Sequence, residues 1–310
     1  MEKDMNARKM KYQGILPAFY ACYDENGQIS PERIQRFALH LLHKGVQGLY
    51  VCGSSGECIY QSVDERKLVL ENVMAAVKGK MTIIAHVACN NTADSIELAR
   101  HAQACGVDAI ASIPPIYFHL PEDAIALYWN DISEAAPDTD FFIYNIPQLA
   151  GTSLTMKLLN TMLKNPRVVG VKNSSMATQD IQMFKIAGGE DFTVFNGPDE
   201  QFIAGRIIGA DGGIGGTYAV MPELFLKADD LLKQGKFLEA QAVQNAINAI
   251  IYKMCEAKGN LYSVMKEILF RRERVELGKV RKPLQSFFAE DEPILACSIG
   301  LIDQAMKDFL

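Results

Sequence analysis

Short runs of apolar and β-branched residues alternate with longer amphipathic segments along most of this chain, the pattern of successive βα units building a parallel sheet. Extended segments are predicted at 14–20, 48–52, 82–88, 109–113, 141–145, 168–172, 193–196 and 212–215. Helices are predicted between them, with legible ends. Ser30 precedes Pro31 at a first helical position, Ile34, Phe37, Ala38 and Leu41 recur on one stripe, and Gly45 supplies a stop. Ser62 followed by Glu65 reads as a capping box. Three stretches, Gly45-Val-Gln-Gly, Gly106-Val-Asp-Ala and Gly209-Ala-Asp-Gly, echo one another at helix-to-strand junctions.

This repetition predicts an α/β fold, a (β/α)8 TIM barrel. After about Val220 the alternation stops, and helical patterns follow at 222–234, 236–258, 260–273 and 293–308. No Pro/Gly/Ser-rich linker intervenes. Residues 1–220 are therefore expected to form the barrel, with 221–310 as C-terminal helices packed on it in a single structural unit.

Composition fits that reading. Of 310 residues, 49% are hydrophobic and 22% charged, and a barrel of this kind takes about 250 residues. A net charge of -6 without long runs of one sign argues against nucleic-acid or anionic-membrane partners. The start, MEKDMNARKMKY, lacks the apolar core of a signal peptide, and no stretch approaches ~18 uninterrupted apolar residues. A cytoplasmic protein is expected. The seven cysteines are scattered without CxxC spacing and read as buried free thiols. The five histidines show no HExxH pattern, and His40 and His43, which share a helix face, have no third ligand nearby, so no metal is expected.

Barrel chemistry is built at the C-terminal ends of strands, which gives polar residues there priority. Lys172 ends the apolar run Val168-Val-Gly-Val. A lysine that loses hydration in such a place becomes a nucleophilic amine suited to Schiff-base chemistry; the plainer reading is a solvated strand-end cation. Tyr144 precedes Asn145-Ile-Pro147, whose proline ends the strand, so its phenol is either a proton relay or packing. The turn Gly53-Ser54-Ser55-Gly56-Glu57 offers hydroxyls and backbone amides to an anion, or is an ordinary strand-to-helix turn. Asp199 and Glu200 either meet substrate or favour the start of the next helix.

Gly53-Ser-Ser-Gly-Glu57, Tyr144-Asn-Ile-Pro147, Lys172, Asn196-Gly-Pro-Asp-Glu200 and Gly212-Gly-Ile-Gly-Gly-Thr-Tyr218 together resemble, in order and spacing, the dihydrodipicolinate synthase and N-acetylneuraminate lyase family of class I aldolases, over about residues 12–290. The resemblance implies an imine between Lys172 and pyruvate, with Tyr144 shuttling protons and no cofactor beyond that covalent adduct. It implies that Ser54 and Ser55 hold the pyruvyl carboxylate and that Ser174, Gly197, Asp199, Glu200 and Gly216 meet the rest of the substrate. Tyr117 resembles the tyrosine that members lend to a neighbouring subunit, which implies a homotetramer acting on a small molecule.

Within the family, synthases that use aspartate semialdehyde usually carry an arginine two residues after the proline of the Tyr144 motif. Here Leu149 stands there. Tyr144-Asn-Ile-Pro-Gln-Leu-Ala-Gly151 and the Asp199-Glu200 pair instead resemble the sialic acid lyase branch, and two carboxylates suit the hydroxyls of a sugar chain. Gly216 departs from that branch, many of whose members have serine before Thr-Tyr, and this leaves open another 2-keto-3-deoxy sugar acid. The synthase reaction stays open as well, and so does a non-catalytic sensor of pyruvate or a sugar acid, since a fold by itself does not imply turnover.

Overall fold

The computed structural model describes residues 11–310. Strands and helices alternate as β1 (Gly14–Pro17), α1 (Pro31–His43), β2 (Gly48–Val51), α2 (Val63–Val77), β3 (Thr82–His86), α3 (Thr92–Cys105), β4 (Ala109–Ser112), α4 (Glu122–Glu134) and β5 (Asp140–Asn145). They continue as α5 (Pro147–Ala150), α6 (Met156–Met162), β6 (Val168–Asn173), α7 (Gln179–Gly188), β7 (Thr193–Asn196), α8 (Phe202–Ile207) and β8 (Gly212–Gly215). The strands form one 8-stranded sheet in the order β1-β8-β7-β6-β5-β4-β3-β2. The fold is a (β/α)8 barrel, followed by α9 (Pro222–Lys233), α10 (Phe237–Cys255), α11 (Leu261–Glu273) and α12 (Glu292–Phe309).

The helix and strand boundaries follow local chemistry. Ser30 Oγ accepts from the Arg33 amide ahead of α1, and Ser62 and Glu65 form the reciprocal capping box of α2. The three echoing glycines share a physical cause. Gly45, Gly106 and Gly209 adopt φ of 81°, 79° and 117°, conformations that strain a side chain. Each leads through a buried apolar residue, Val46, Val107 or Ala210, into the strand that opens at Gly48, Ala109 or Gly212. Four strands end earlier than expected: β1 stops at Pro17, after which Ala18 forms an isolated bridge with Tyr50, β3 stops at His86, and β2 and β4 each stop one residue short, at Val51 and Ser112.

The chain divides into two compact units, one comprising the described residues through Gly14 with Thr82–Ile214, the other Ile15–Met81 with Gly215–Leu310. In the first, β3 to β7 run parallel to their neighbours. Tyr12 packs edge-on against Phe142 at 5.0 Å and its hydroxyl donates to the Asp108 carbonyl and Asp140 Oδ2 at 2.7 and 2.8 Å. Between β5 and β6 the register slips: Phe141 faces Val168, yet Phe142 faces Gly170. A Cβ on Gly170 would lie 2.3 Å from the Thr193 carbonyl and 2.4 Å from the Phe142 ring, so the slip needs a glycine. Beyond it, Tyr144 stands opposite Lys172.

In the second unit the α1 stripe of Ile34, Phe37, Ala38 and Leu41 is buried, with Phe37 against Phe19 and Tyr20 at ring distances of 4.8 and 5.6 Å. Tyr218 stacks on Phe225 of α9 at 3.9 Å. The cysteines are free thiols, but only Cys22 and Cys52 are buried; Cys255 and Cys297 are exposed on α10 and α12. Cys297 shares the exposed side of its helix with Pro293, Gly300 and Gln304, and Cys255 is the last residue of its own.

Candidate active site

Lys172 and Tyr144 are 5% and 3% exposed, and Nζ of Lys172 lies 3.9 Å from the Tyr144 ring centroid. A buried amine held against an aromatic face is anchored electrostatically and shielded from bulk water. His86, at the end of β3, completes this group with its ring edge-on to Tyr144 at 5.9 Å. Sequence reasoning missed His86 because it ran the strand on to 88, which placed the imidazole mid-strand rather than at the end where chemistry is sought.

Ser174 and Gly197 are also brought together. A Cβ at position 197 would sit 2.0 Å from Ser174 Oγ, so only glycine permits this approach. Asp199 is buried and Glu200 half-buried, and both open the single turn Asp199–Gln201 that precedes α8. Their position satisfies the helix-start reading and still sets them beyond the end of β7.

Tyr117 lies apart from the buried group. The residue is 88% exposed, its ring packs edge-on against Phe118 at 5.0 Å, and its backbone takes φ of 87°. The Asn90 side chain holds this loop by accepting from the Ile116 amide at 3.0 Å.

The Gly53–Glu57 turn belongs to the second unit. Its own carbonyls accept from the amides of Gly56, Glu57 and Cys58, not from those of Ser54 and Ser55. Ser55 is buried, and a Cβ on Gly216 would approach its Oγ to 3.3 Å. The turn is tied down by Glu57, which takes a left-handed φ of 54°. Its carboxylate accepts from Lys266 Nζ on α11 at 2.8 Å and from the Arg281 amide at 2.8 Å. Burial pulls the Lys266 ammonium below the ordinary lysine range, opposed by the Glu57 charge. Arg281 in turn holds Glu65 through two hydrogen bonds of 2.9 and 2.7 Å and lies over the Tyr23 ring. No sequence signal pairs Glu57 with Lys266, because 209 residues separate them.

Known proteins resemble this chain over nearly its whole length. The dihydrodipicolinate synthetase family model matches residues 11–299. The chain is 63% identical over 300 residues to an N-acetylneuraminate lyase of Mediterraneibacter gnavus, covering 97% of this chain and 95% of that protein. It is 33% identical over 296 residues to an N-acetylneuraminate lyase of Salmonella typhimurium, covering 96% and 98%. Wild-type Ruminococcus gnavus sialic acid aldolase superposes with a TM-score of 0.96 at 63% identity, over 97% of this chain and 100% of that one. A lysine and a tyrosine buried in register at adjacent strand ends, in a barrel with these relatives, place the chain in the dihydrodipicolinate synthetase family.

Proposed function

We propose that the protein is a carbon–carbon lyase that cleaves N-acetylneuraminate to pyruvate and N-acetylmannosamine through an imine on Lys172. The observation that carries this reading is the buried Lys172–Tyr144 pair, with Nζ 3.9 Å from the ring centroid. Lys172 Nζ adds to the ketone of the open-chain sugar acid and water leaves, giving an iminium. Loss of the proton from the aldol hydroxyl, relayed by Tyr144, lets the carbon–carbon bond break with its electron pair moving into the iminium. The aldehyde departs, and the enamine is protonated at carbon and hydrolysed to pyruvate. The iminium is the electron sink, so the scheme calls on no other cofactor.

Ser54 and Ser55 are assigned the pyruvyl carboxylate, a role supported by the turn's internal hydrogen bonds, which use other amides. Ser174, Gly197, Asp199, Glu200 and Gly216 are assigned the sugar chain. Exposed Tyr117 and its neighbour Phe118 support a tetramer in which Tyr117 reaches a neighbouring subunit. Free thiols favour a reducing cytosol. Among the described residues no helix is long and apolar enough to cross a membrane.

Borohydride added with pyruvate should inactivate the protein and leave a reduced adduct on Lys172; an adduct mapping elsewhere overturns the assignment. Cleavage of N-acetylneuraminate should exceed condensation of aspartate semialdehyde by about two orders of magnitude in kcat/KM, because Leu149 gives the semialdehyde carboxylate no cation. A faster semialdehyde reaction overturns the lyase reading, and turnover of only another 2-keto-3-deoxy sugar acid would shift the substrate and point first to Gly216.

A further inference from the structure

One residue beyond Tyr144 and Lys172 lies a second row. In the ladders, Tyr144, Lys172 and Phe195 stand opposite one another across β5, β6 and β7, and the next level is asparagine throughout: Asn145, Asn173 and Asn196. Successive strand residues point to opposite faces, so the asparagines lie behind the pair that reacts. All three are buried.

Their side chains are used in a fixed pattern. Asn145 Nδ2 donates to Asn173 Oδ1 at 2.7 Å, and Asn145 Oδ1 accepts from the Leu154 amide at 2.9 Å. Asn173 Nδ2 donates to Ser175 Oγ at 3.1 Å, and that hydroxyl donates onward to Asp180 Oδ2 at 2.7 Å. Asn196 Nδ2 donates to the Pro198 carbonyl at 2.7 Å. Each asparagine thus pins the segment that follows its own strand, and the Asn145–Asn173 bond joins two strands directly. Backbone bonds extend the same level, from the Ser174 amide to the Asn145 carbonyl and from the Gly197 amide to the Asn173 carbonyl, both at 2.7 Å.

We infer that Asn145 and Asn173 are positioning residues for the Schiff-base chemistry: their hydrogen bond locks the ends of β5 and β6 together, so that the Tyr144 phenol and the Lys172 amine keep one relative placement through imine formation and bond cleavage. The lock adds a side-chain tie to a β5–β6 ladder whose register shifts at Phe141 and Phe142, only a few residues before the reacting pair. The chain from Asn145 through Asn173 and Ser175 to Asp180 is a largely buried network of the kind that fixes geometry, and Asn196, whose Oδ1 is buried without a hydrogen bond, stays outside it. The inference rests on the proposed role of Lys172.

The test uses Asn145→Ala, Asn173→Ala and the near-isosteric Asn145→Asp, which keeps the shape but replaces the donor that faces Asn173 Oδ1 with an acceptor. Borohydride trapping of the pyruvate imine is timed for each, alongside kcat and KM for sugar-acid cleavage and a thermal melt. The expected result is folded protein with trapping and kcat slowed about ten- to a hundred-fold, the scale at which misplacement by an ångström costs rate, and KM within about threefold. The same loss in the double variant as in either single one marks the two residues as one unit. If folded variants trap the imine and turn over within twofold of the wild type, the inference fails. Should the alanine variants not fold, the Asn145→Asp kinetics alone decide it by the same criterion. A wild-type protein that traps no adduct on Lys172 would instead overturn the imine reading itself.

Discussion

The Lys172 amine rests on the face of the Tyr144 ring, at 3.9 Å from its centroid, because the two residues are direct partners across β5 and β6. Neither depends on a flexible loop for its place. Replacing Tyr144 with Phe preserves the ring that packs against Lys172 and removes only the hydroxyl. Tyr144→Phe is expected to fold and melt like the wild type while kcat drops roughly 100-fold or more, the usual worth of a positioned proton relay. Steady-state kinetics beside a thermal melt check this, and near-normal kcat would reduce Tyr144 to packing.

Asp199 and Glu200 act on the sugar half alone in the proposed scheme. Asp199→Asn and Glu200→Gln should each raise KM for N-acetylneuraminate about tenfold or more, as loss of a charged hydrogen bond does. The rate of pyruvate trapping should stay within twofold. Slower trapping in either variant would show that the carboxylates serve the imine and not the aldehyde.

Glu57 and Lys266 have side chains 0% and 3% exposed and bond at 2.8 Å. Glu57→Gln leaves a buried ammonium facing a neutral group and should cost about 3 kcal/mol of stability. Glu57→Gln with Lys266→Met should recover part of that loss, since the uncompensated charge goes with it. Denaturant unfolding of the two variants is the measurement, and a single variant as stable as the wild type would show that the pair contributes nothing.

Burial raises the Cys22 and Cys52 thiols from 9.0 to about 12. Folding therefore keeps a proton that the unfolded chain gives up, so stability is full below pH 9 and falls as pH climbs towards 12. The slope is roughly 1.4 kcal/mol per pH unit for each thiol. Unfolding midpoints measured between pH 8 and 11 should decline less steeply in a Cys22→Ala/Cys52→Ala variant. Equal slopes would show that these thiols do not titrate differently in the two states.

Much of this was legible in the sequence because strands and helices of a barrel carry different hydrophobic periods. The eight extended runs, the capped starts of α1 and α2 and the helices after β8 all follow from local pattern and recur in the structure. Lys172 and Tyr144 were readable for the same reason, each being polar where an apolar strand ends. What escaped was what depends on distant partners or on an exact strand end. Glu57 stands in a motif that suggests an anion turn, but its use as an anchor needs Lys266, far along the chain. Asn145 and Asn173 each follow a site residue by one position, a regularity visible in the sequence, yet their bond exists only through the slipped pairing of β5 and β6.

The left-handed glycines at 45 and 209 have a practical side. Both lie where a helix hands over to the start of a strand, whereas Lys172 and Tyr144 come near the ends of their own strands. Their surroundings are open: nothing lies within 4 Å of a Cβ at Gly45, and only the Lys185 Cγ at 3.9 Å near one at Gly209. Exchanging either glycine for alanine therefore meets backbone strain but no clash, and should cost about 1 kcal/mol of stability while the reacting pair is left as it was.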